Sequence, residues 1–255
     1  MIHTERLLKI EEYIMEHNVA SMNELCDEFA ISMNTLRIDI AKLAARGSVE
    51  KVYGGVKYVE PGEIPLFEER EGKNIHVKRE LCKKAVEFIK KDDVIYIDAG
   101  STVLYLTDYL DPAVPFTVLT SSLPLMQRMA KHTQISLISI SGKYQWETGS
   151  FVSLESTEAL KKFNIKTAIM VPSSVSNEGD FTISNYFEYE IKKEVIQRSY
   201  QTIMISDSGK IGVPRLRTFA KLSQIDYFIT DSGISQQFVA LCGRENVSVL
   251  IADAK

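Results

Sequence analysis

The sequence predicts two folds in one chain: an N-terminal α+β winged helix-turn-helix over residues 1–58 and, after a linker at 59–73, a C-terminal α/β domain over 74–255. Three observations carry this prediction. Two short amphipathic helical patterns meet across Ala30-Ile31-Ser32 and are followed by strand-like runs around Gly54-Gly55. Pro61, Gly62 and Pro65 then interrupt any continuous helix or central strand. From Asp93 onward, short apolar β-branched runs alternate with helical stretches, the pattern of a parallel sheet covered on both faces. At 255 residues the chain is long enough for two cores.

In the head, Leu7, Ile10 and Ile14 mark the buried stripe of a first helix from Thr4 to about His17. Ser21 and Glu24 form a capping-box pattern for a second helix that buries Leu25 and Phe29. Ser32 is placed to cap a third helix, with Leu36, Ile40 and Leu43 inward and Gly47 placed to end it. Stepping about 100° per residue from Leu36 turns Asn34, Ile38, Ala41 and Ala45 outward and sets Thr35, Arg37 and Lys42 on the flanks. Val49–Tyr58 reads as a two-stranded wing whose turn is the Gly54-Gly55 pair. Such a helix can offer side chains to base edges in a major groove, with Ser32, Asn34, Thr35, Arg37, Ile38 and Lys42 as candidates and Lys51, Tyr53 and Lys57 on the wing against backbone. Protein-interaction modules share this topology, so the pattern leaves both uses open.

Composition is that of an ordinary globular protein, 45% hydrophobic and 25% charged, with a net charge of −4 that argues against nucleic acid until its distribution is seen. Residues 31–58 carry five cations against two anions, whereas residues 1–30 carry seven anions against two cations. The positive charge therefore lies where phosphates would be. Cys26, Cys82 and Cys242 are odd in number and widely spaced, which suggests neither a disulfide framework nor a zinc site and fits a reducing, cytoplasmic setting. The start of the chain has no signal-peptide pattern, and no apolar run approaches a membrane span. The four histidines are scattered, and no metal, cofactor or catalytic residue is expected.

In the second domain, seven strands are expected, at Val94–Ile97, Phe116–Leu119, Ile135–Ile140, Thr167–Val171, Thr202–Ile205, Tyr227–Thr230 and Val247–Ile251. Helices are expected at Leu66–Ile89 and at Val103–Leu110, Leu123–His132, Thr157–Phe163 and Tyr189–Arg198. Ligands of doubly wound sheets bind at the carboxyl ends of the strands, and several ends here are small and polar. Asp98-Ala99-Gly100-Ser101-Thr102 suits a phosphate by close backbone approach, free amides and two hydroxyls, although an ordinary capped turn would read alike. Thr120-Ser121-Ser122, Ser141-Gly142-Lys143 and Asp207-Ser208-Gly209-Lys210 end three further strands in the same style. Together they point to one anionic, hydroxyl-rich ligand. Trp146 is expected as a partly buried loop anchor.

Over some fifty positions the head resembles the DeoR family of bacterial sugar-responsive transcriptional regulators. The matching residues are Arg6, Ile10, Glu24-Leu25, Phe29, Ile31-Ser32, Thr35-Leu36-Arg37, Asp39-Ile40, Leu43, Gly47 and Tyr53-Gly54-Gly55. Ile38 replaces the second arginine of the usual pair; it either meets a thymine methyl or weakens phosphate binding. Phe67-x-x-Arg70 resembles the family's hinge. The second domain resembles the family's effector domain, which shares the ribose-5-phosphate isomerase fold and senses a phosphorylated sugar. Asp98, Gly100, Ser101 and Thr102, then Ser121 and Ser122, then Glu188, Glu190 and Lys192, then Asp207 and Lys210 match its loops and its E-x-E-x-K helix. Ser141, Ser153 and Pro172-Ser173-Ser174 stand where the family has glycines, which would reshape the pocket.

The resemblance implies a repressor of a carbohydrate-utilisation operon. Its partners would be double-stranded operator DNA, a phosphorylated sugar bound by Asp98, Gly100, Ser101, Thr102, Ser121, Ser122, Gly142, Lys143, Glu188 and Lys210, and further copies of itself as a dimer or tetramer. Two alternatives remain at this point: a constitutive DNA-binding regulator whose second domain only oligomerises, and an isomerase-like enzyme, against which the isomerase's glycine-rich stretch and catalytic acid are missing.

Overall fold

A computed structural model of the chain describes residues 3–46, 49–58 and 66–253. Two compact units emerge, Met1–Glu63 and Ile64–Lys255. The expected helix end at Gly47 and most of the linker, Val59–Pro65, lie outside the described residues.

The first unit orders as α1 (His3–His17), β1 (Val19–Ser21), α2 (Met22–Phe29), α3 (Met33–Arg46), β2 (Val49–Val52) and β3 (Gly55–Tyr58). Leu7, Ile10, Ile14, Leu25, Leu36, Ile40 and Leu43, the expected stripes, form its core together with Val49 and Val56, none more than 3% exposed. Ser21 makes the full capping box with Glu24, and Ser32 Oγ accepts from the Thr35 amide at 3.2 Å. Ala30, at φ 50, turns the chain between α2 and α3 in a left-handed conformation that strains an L-residue.

The wing departs from expectation in two ways. Val52 pairs with Gly55, so the turn residues are Tyr53 and Gly54 rather than the two glycines. Gly54 takes the positive φ of 76, whereas Gly55 serves a different need: a Cβ there would lie 2.5 Å from the Ala20 carbonyl oxygen. That close approach arises because β1, too short to announce itself in sequence, pairs antiparallel with β3 and completes a β1-β3-β2 sheet.

The second unit begins with α4 (Phe67–Glu71) and α5 (Ile75–Ala85). A single helix from Leu66 to Ile89 was expected, but the chain breaks at Asn74, whose φ is 54. The seven expected strands all form: β4 (Val94–Ile97), β5 (Phe116–Thr120), β6 (Ile135–Ser139), β9 (Ile165–Met170), β12 (Ser199–Ile205), β15 (Tyr227–Asp231) and β16 (Ser248–Ala252). They make one sheet in the order β16-β15-β12-β9-β4-β5-β6, every pair parallel. Alternate residues feed opposite cores, Tyr96, Ala168 and Met170 to one face and Ile95, Ile97 and Ile169 to the other, which is why the runs read as continuously apolar.

Between the strands lie α6 (Leu123–Met129), α7 (Leu154–Leu160), α8 (Tyr186–Arg198) and α9 (Gln236–Arg244). The stretch expected as a helix from Val103 is a 3-10 run, Val103–Asp108. Sequence reading missed α9, the hairpin of β7 (Lys143–Gln145) and β8 (Ser150–Val152), and a four-stranded sheet of β10 (Ser174–Ser176), β11 (Asp180–Ile183), β13 (Ile211–Gly212) and β14 (Arg217–Lys221) in the order β13-β10-β11-β14. Strands of two to five residues hold too few alternations to show a period. No helix among the described residues is long and apolar enough to cross a membrane.

Candidate functional sites

On α3 the inward side chains of Leu36, Asp39, Ile40 and Leu43 are buried, while Asn34, Arg37, Ile38, Ala41 and Lys42 are exposed. Arg6 clamps this helix to α1, its Nε 2.7 Å from the buried Asp39 carboxylate and its Nη2 3.3 Å from the second oxygen. Ser32 and Thr35 are engaged with each other, their hydroxyls 2.9 Å apart, at the start of α3. Lys51 is exposed on β2, and Tyr53 stands fully exposed at the wing tip. All nine head residues singled out in the sequence, Lys57 on β3 included, therefore fall on one helix, its cap or the wing.

In the second unit a cleft opens where the chain leaves β4 and β9. Asp98 is the bracket behind it: one carboxylate oxygen accepts from the Ala99 amide at 2.8 Å, the other from the Val171 amide at 3.0 Å and from the Lys192 ammonium. Lys192 also donates to the Val171 carbonyl at 2.9 Å, so a buried ion pair ties the ends of the two central strands together. Gly100 then passes so close to Val171 that a Cβ would sit 2.4 Å from its Cγ2.

The cleft wall comprises Gly100, Ser101 and Thr102 from one loop, Pro172 and Ser173 from the next, Glu188 and Lys192 from α8, Arg70 from α4, Thr148 and Lys210. Glu188 Oε1 accepts from Ser150 at 3.0 Å, and burial pushes its carboxyl above the usual range against the pull of Lys192. Burial pulls the Arg70 guanidinium and the Lys210 ammonium below their usual values, partly offset for Lys210 by Asp207 at 3.8 Å. Arg70, Lys192 and Lys210 line the cleft with Glu188, while Asp98 behind the wall pairs with Lys192 and Asp207 stands near Lys210. The cations together with the loop amides and hydroxyls suit an anion carrying hydroxyls. Its free volume is about 30 Å³.

Arg70 arrives by way of α4, which is held against the domain at both ends. Phe67 packs on Gly149, where a Cβ would come within 3.0 Å of its ring. Arg70 Nη2 donates to the Glu147 carbonyl at 3.2 Å. Lys78, only 5% exposed, donates to the carbonyls of Arg70 and Glu71 and so caps the C-terminus of α4. Its ammonium is lowered to about 8, chiefly by burial and then by the nearby Lys210.

The family model described as the DeoR-like helix-turn-helix domain matches residues 6–61, and that of the DeoR C terminal sensor domain matches residues 73–232. The chain belongs to the DeoR family. It is a DNA-binding transcriptional regulator, and its second domain is a sensor rather than an enzyme. The chain is 33% identical to the HTH-type transcriptional regulator IolR of Bacillus subtilis, over 97% of this chain and 98% of that protein. It is 26% identical to the HTH-type transcriptional repressor GlcR of the same organism, over 99% and 98%. It is 25% identical to the L-fucose operon activator of Haemophilus influenzae, over 95% and 97%. Ribose 5-phosphate isomerase A from Neisseria gonorrhoeae superposes with a TM-score of 0.38 at 20% identity, over 55% of this chain and 54% of that one, a likeness too loose to argue from.

Of the DeoR-type effector positions read from sequence, Gly100, Ser101, Thr102, Glu188 and Lys210 meet in the cleft. Asp98 stands behind it, bonded on both oxygens. Ser121 is buried away from the wall, and Ser122 caps α6. Gly142 packs on the Val152 backbone and Lys143 is exposed. Arg70, Thr148, Pro172, Ser173 and Lys192 reach the cleft without having been singled out as ligand contacts; the Phe-x-x-Arg and E-x-E-x-K patterns were the signals for Arg70 and Lys192. Of the substituted glycine positions, only Pro172-Ser173 touches the cleft, while Ser153 caps α7. Trp146 is no buried anchor: it is 70% exposed and lines a separate groove of about 460 Å³ with Tyr144, Phe67 and Pro124.

Proposed function

We propose that this DeoR-family regulator represses a carbohydrate-utilisation operon and leaves its operator when a phosphorylated sugar occupies the cleft. The main support is one observation: Arg70, Lys192 and Lys210, from distant stretches of chain, converge on the amides and hydroxyls of Gly100-Ser101-Thr102. A phosphate offered there meets cations and hydrogen-bond donors together, while Glu188, Thr148 and Ser173 remain for sugar hydroxyls. Asp98, Ser121, Ser122, Gly142 and Lys143 then act by shaping or flanking the loops rather than by touching the sugar. That GlcR is a repressor supports the sign.

In the head, Asn34, Arg37, Ile38 and Lys42 face bases and phosphates, Ser32 and Thr35 hold the start of α3, and Lys51 and Tyr53 meet backbone from the wing. One head spans too few base pairs for a specific site, so the protein works in the cytoplasm as a homo-oligomer, a dimer or tetramer. Residues 1–58 form the DNA-binding domain, 59–73 the connection and 74–255 the sensor. Arg70 is carried by α4, the helix within that connection, so an anion that draws on Arg70 pulls on the segment leading to the head. Regulation requires only that the sugar phosphate bind two arrangements of that segment unequally.

A free volume of about 30 Å³ is small for a sugar phosphate, so its entry requires the cleft walls to give way. That tightness favours a second reading, a constitutive binder whose sensor domain only oligomerises. Thermal shift against a panel of sugar phosphates, with the free sugars alongside, separates the two. A ligand at about a hundred times its Kd stabilises by roughly 2.7 kcal/mol, and Lys210→Ala or Arg70→Ala should abolish that shift. No shift from any compound, with operator binding intact, would put the constitutive reading first.

A further inference from the structure

We propose that Ile38 reads the 5-methyl group of a thymine in the major groove of the operator. This rests on the DNA-binding reading of α3 and adds the base that one residue recognises. Ile38 is 58% exposed on a helix whose inward stripe, Leu36, Ile40 and Leu43, is fully buried. At about 100° per residue, Asn34, Ile38 and Ala41 form the ridge opposite Leu36, and Arg37 and Lys42 stand about 70° to either side of it. A cation on each flank of a helix seated in a groove reaches the phosphates of the two walls, which leaves the ridge against the floor.

On that floor the four base pairs offer hydrogen-bond donors and acceptors, and the one apolar group among them is the thymine methyl. An isoleucine pressed against any other base edge would leave that edge's polar atoms without water or partner. A singly exposed isoleucine elsewhere on a surface requires no explanation. Here the flanking charges and the buried Asp39 beneath, held by Arg6, fix which way the side chain is presented.

The test uses the full chain and a duplex selected by it from a random pool. Each thymine of that duplex is replaced in turn by deoxyuridine, which removes only the methyl. One replacement per half-site should weaken wild-type binding about fourfold, the loss expected for a single buried methyl. Ile38→Ala should bind the parent duplex more weakly and show no response to the same replacement. Its dependence on salt should match wild type, because an apolar contact releases no counterions. Ile38→Arg should shift the selected base toward guanine.

The proposal is overturned if no single deoxyuridine weakens wild type, if Ile38→Ala responds as wild type does, or if its salt slope falls, which would mean a backbone contact instead. Ile38 being exposed, these variants keep the fold, and matching thermal unfolding verifies it. A chain that selects no duplex would remove the DNA-binding reading itself, a different failure from a duplex bound tightly but indifferent to its methyl groups.

Discussion

The head and the sensor domain place function in opposite relations to their cores. On α3 the groups proposed to meet DNA, Asn34, Arg37, Ile38 and Lys42, are exposed, and the residues that hold the fold, Leu36, Ile40 and Leu43, face the other way. In the sensor domain the same groups do both tasks. Lys192 lines the cleft, yet it is one half of a buried ion pair joining two central strands. Base recognition can therefore be altered with little loss of stability, whereas altering the cleft puts the sheet at risk.

The largest effect that would sharpen this contrast comes from Lys192→Ala. It leaves Asp98 buried without its cation, at a cost of about 3–5 kcal/mol, and should lower the sensor transition in calorimetry; an unchanged transition would mean that the pair holds nothing. Next, Leu36→Ala opens a cavity in a small core and should destabilise the head by about 3 kcal/mol. Operator binding should fall while thermal shifts from a sugar phosphate persist; loss of both would break the division into two units. Arg37→Ala should leave both transitions in place, weaken operator binding and lower its salt slope by about one, measured by fluorescence anisotropy. A fall in head stability would show that Arg37 belongs to the core after all.

The smallest effect is one of pH. The Lys78 ammonium is lowered to about 8 in the folded protein from an ordinary 10.5. Below pH 8 both folded and unfolded chains carry the proton, and the penalty of burying it is constant. Between about 8 and 10.5 the unfolded chain holds a proton that the folded one has released, so stability from this group rises with pH. Urea unfolding at pH 8 and pH 10 should show that gain in the wild-type sensor domain and not in Lys78→Met. An equal gain in both would place its origin in other groups.

What could be read in advance follows from how local each feature is. The faces of α1, α2 and α3 repeat every 3.6 residues, and the strands of the parallel sheet are near-continuous apolar runs, so neighbours in sequence declare them. The turn at Tyr53-Gly54 was misplaced by one residue because two adjacent glycines look alike in sequence. Only the pairing of β1 with β3 shows that one serves a positive φ and the other a close approach. Trp146 misled by its chemistry: a lone tryptophan suggests burial, and here it lines an open groove.

The sequence by itself determined the two domains' classes, the order of strands along the chain, the outward face of α3 and the polar loops at the strand ends. Periodicity, caps and turn residues act over a few positions, and that is enough to settle such things. Tertiary structure alone decided which of those loops share a cleft. It drew Arg70, Thr148, Ser173, Lys192 and Lys210 together, set Asp98 behind the wall and turned Ser121 and Ser122 away. No local pattern encodes that convergence, because it depends on how far apart the strands lie in the sheet and on where α4 and α8 dock against it.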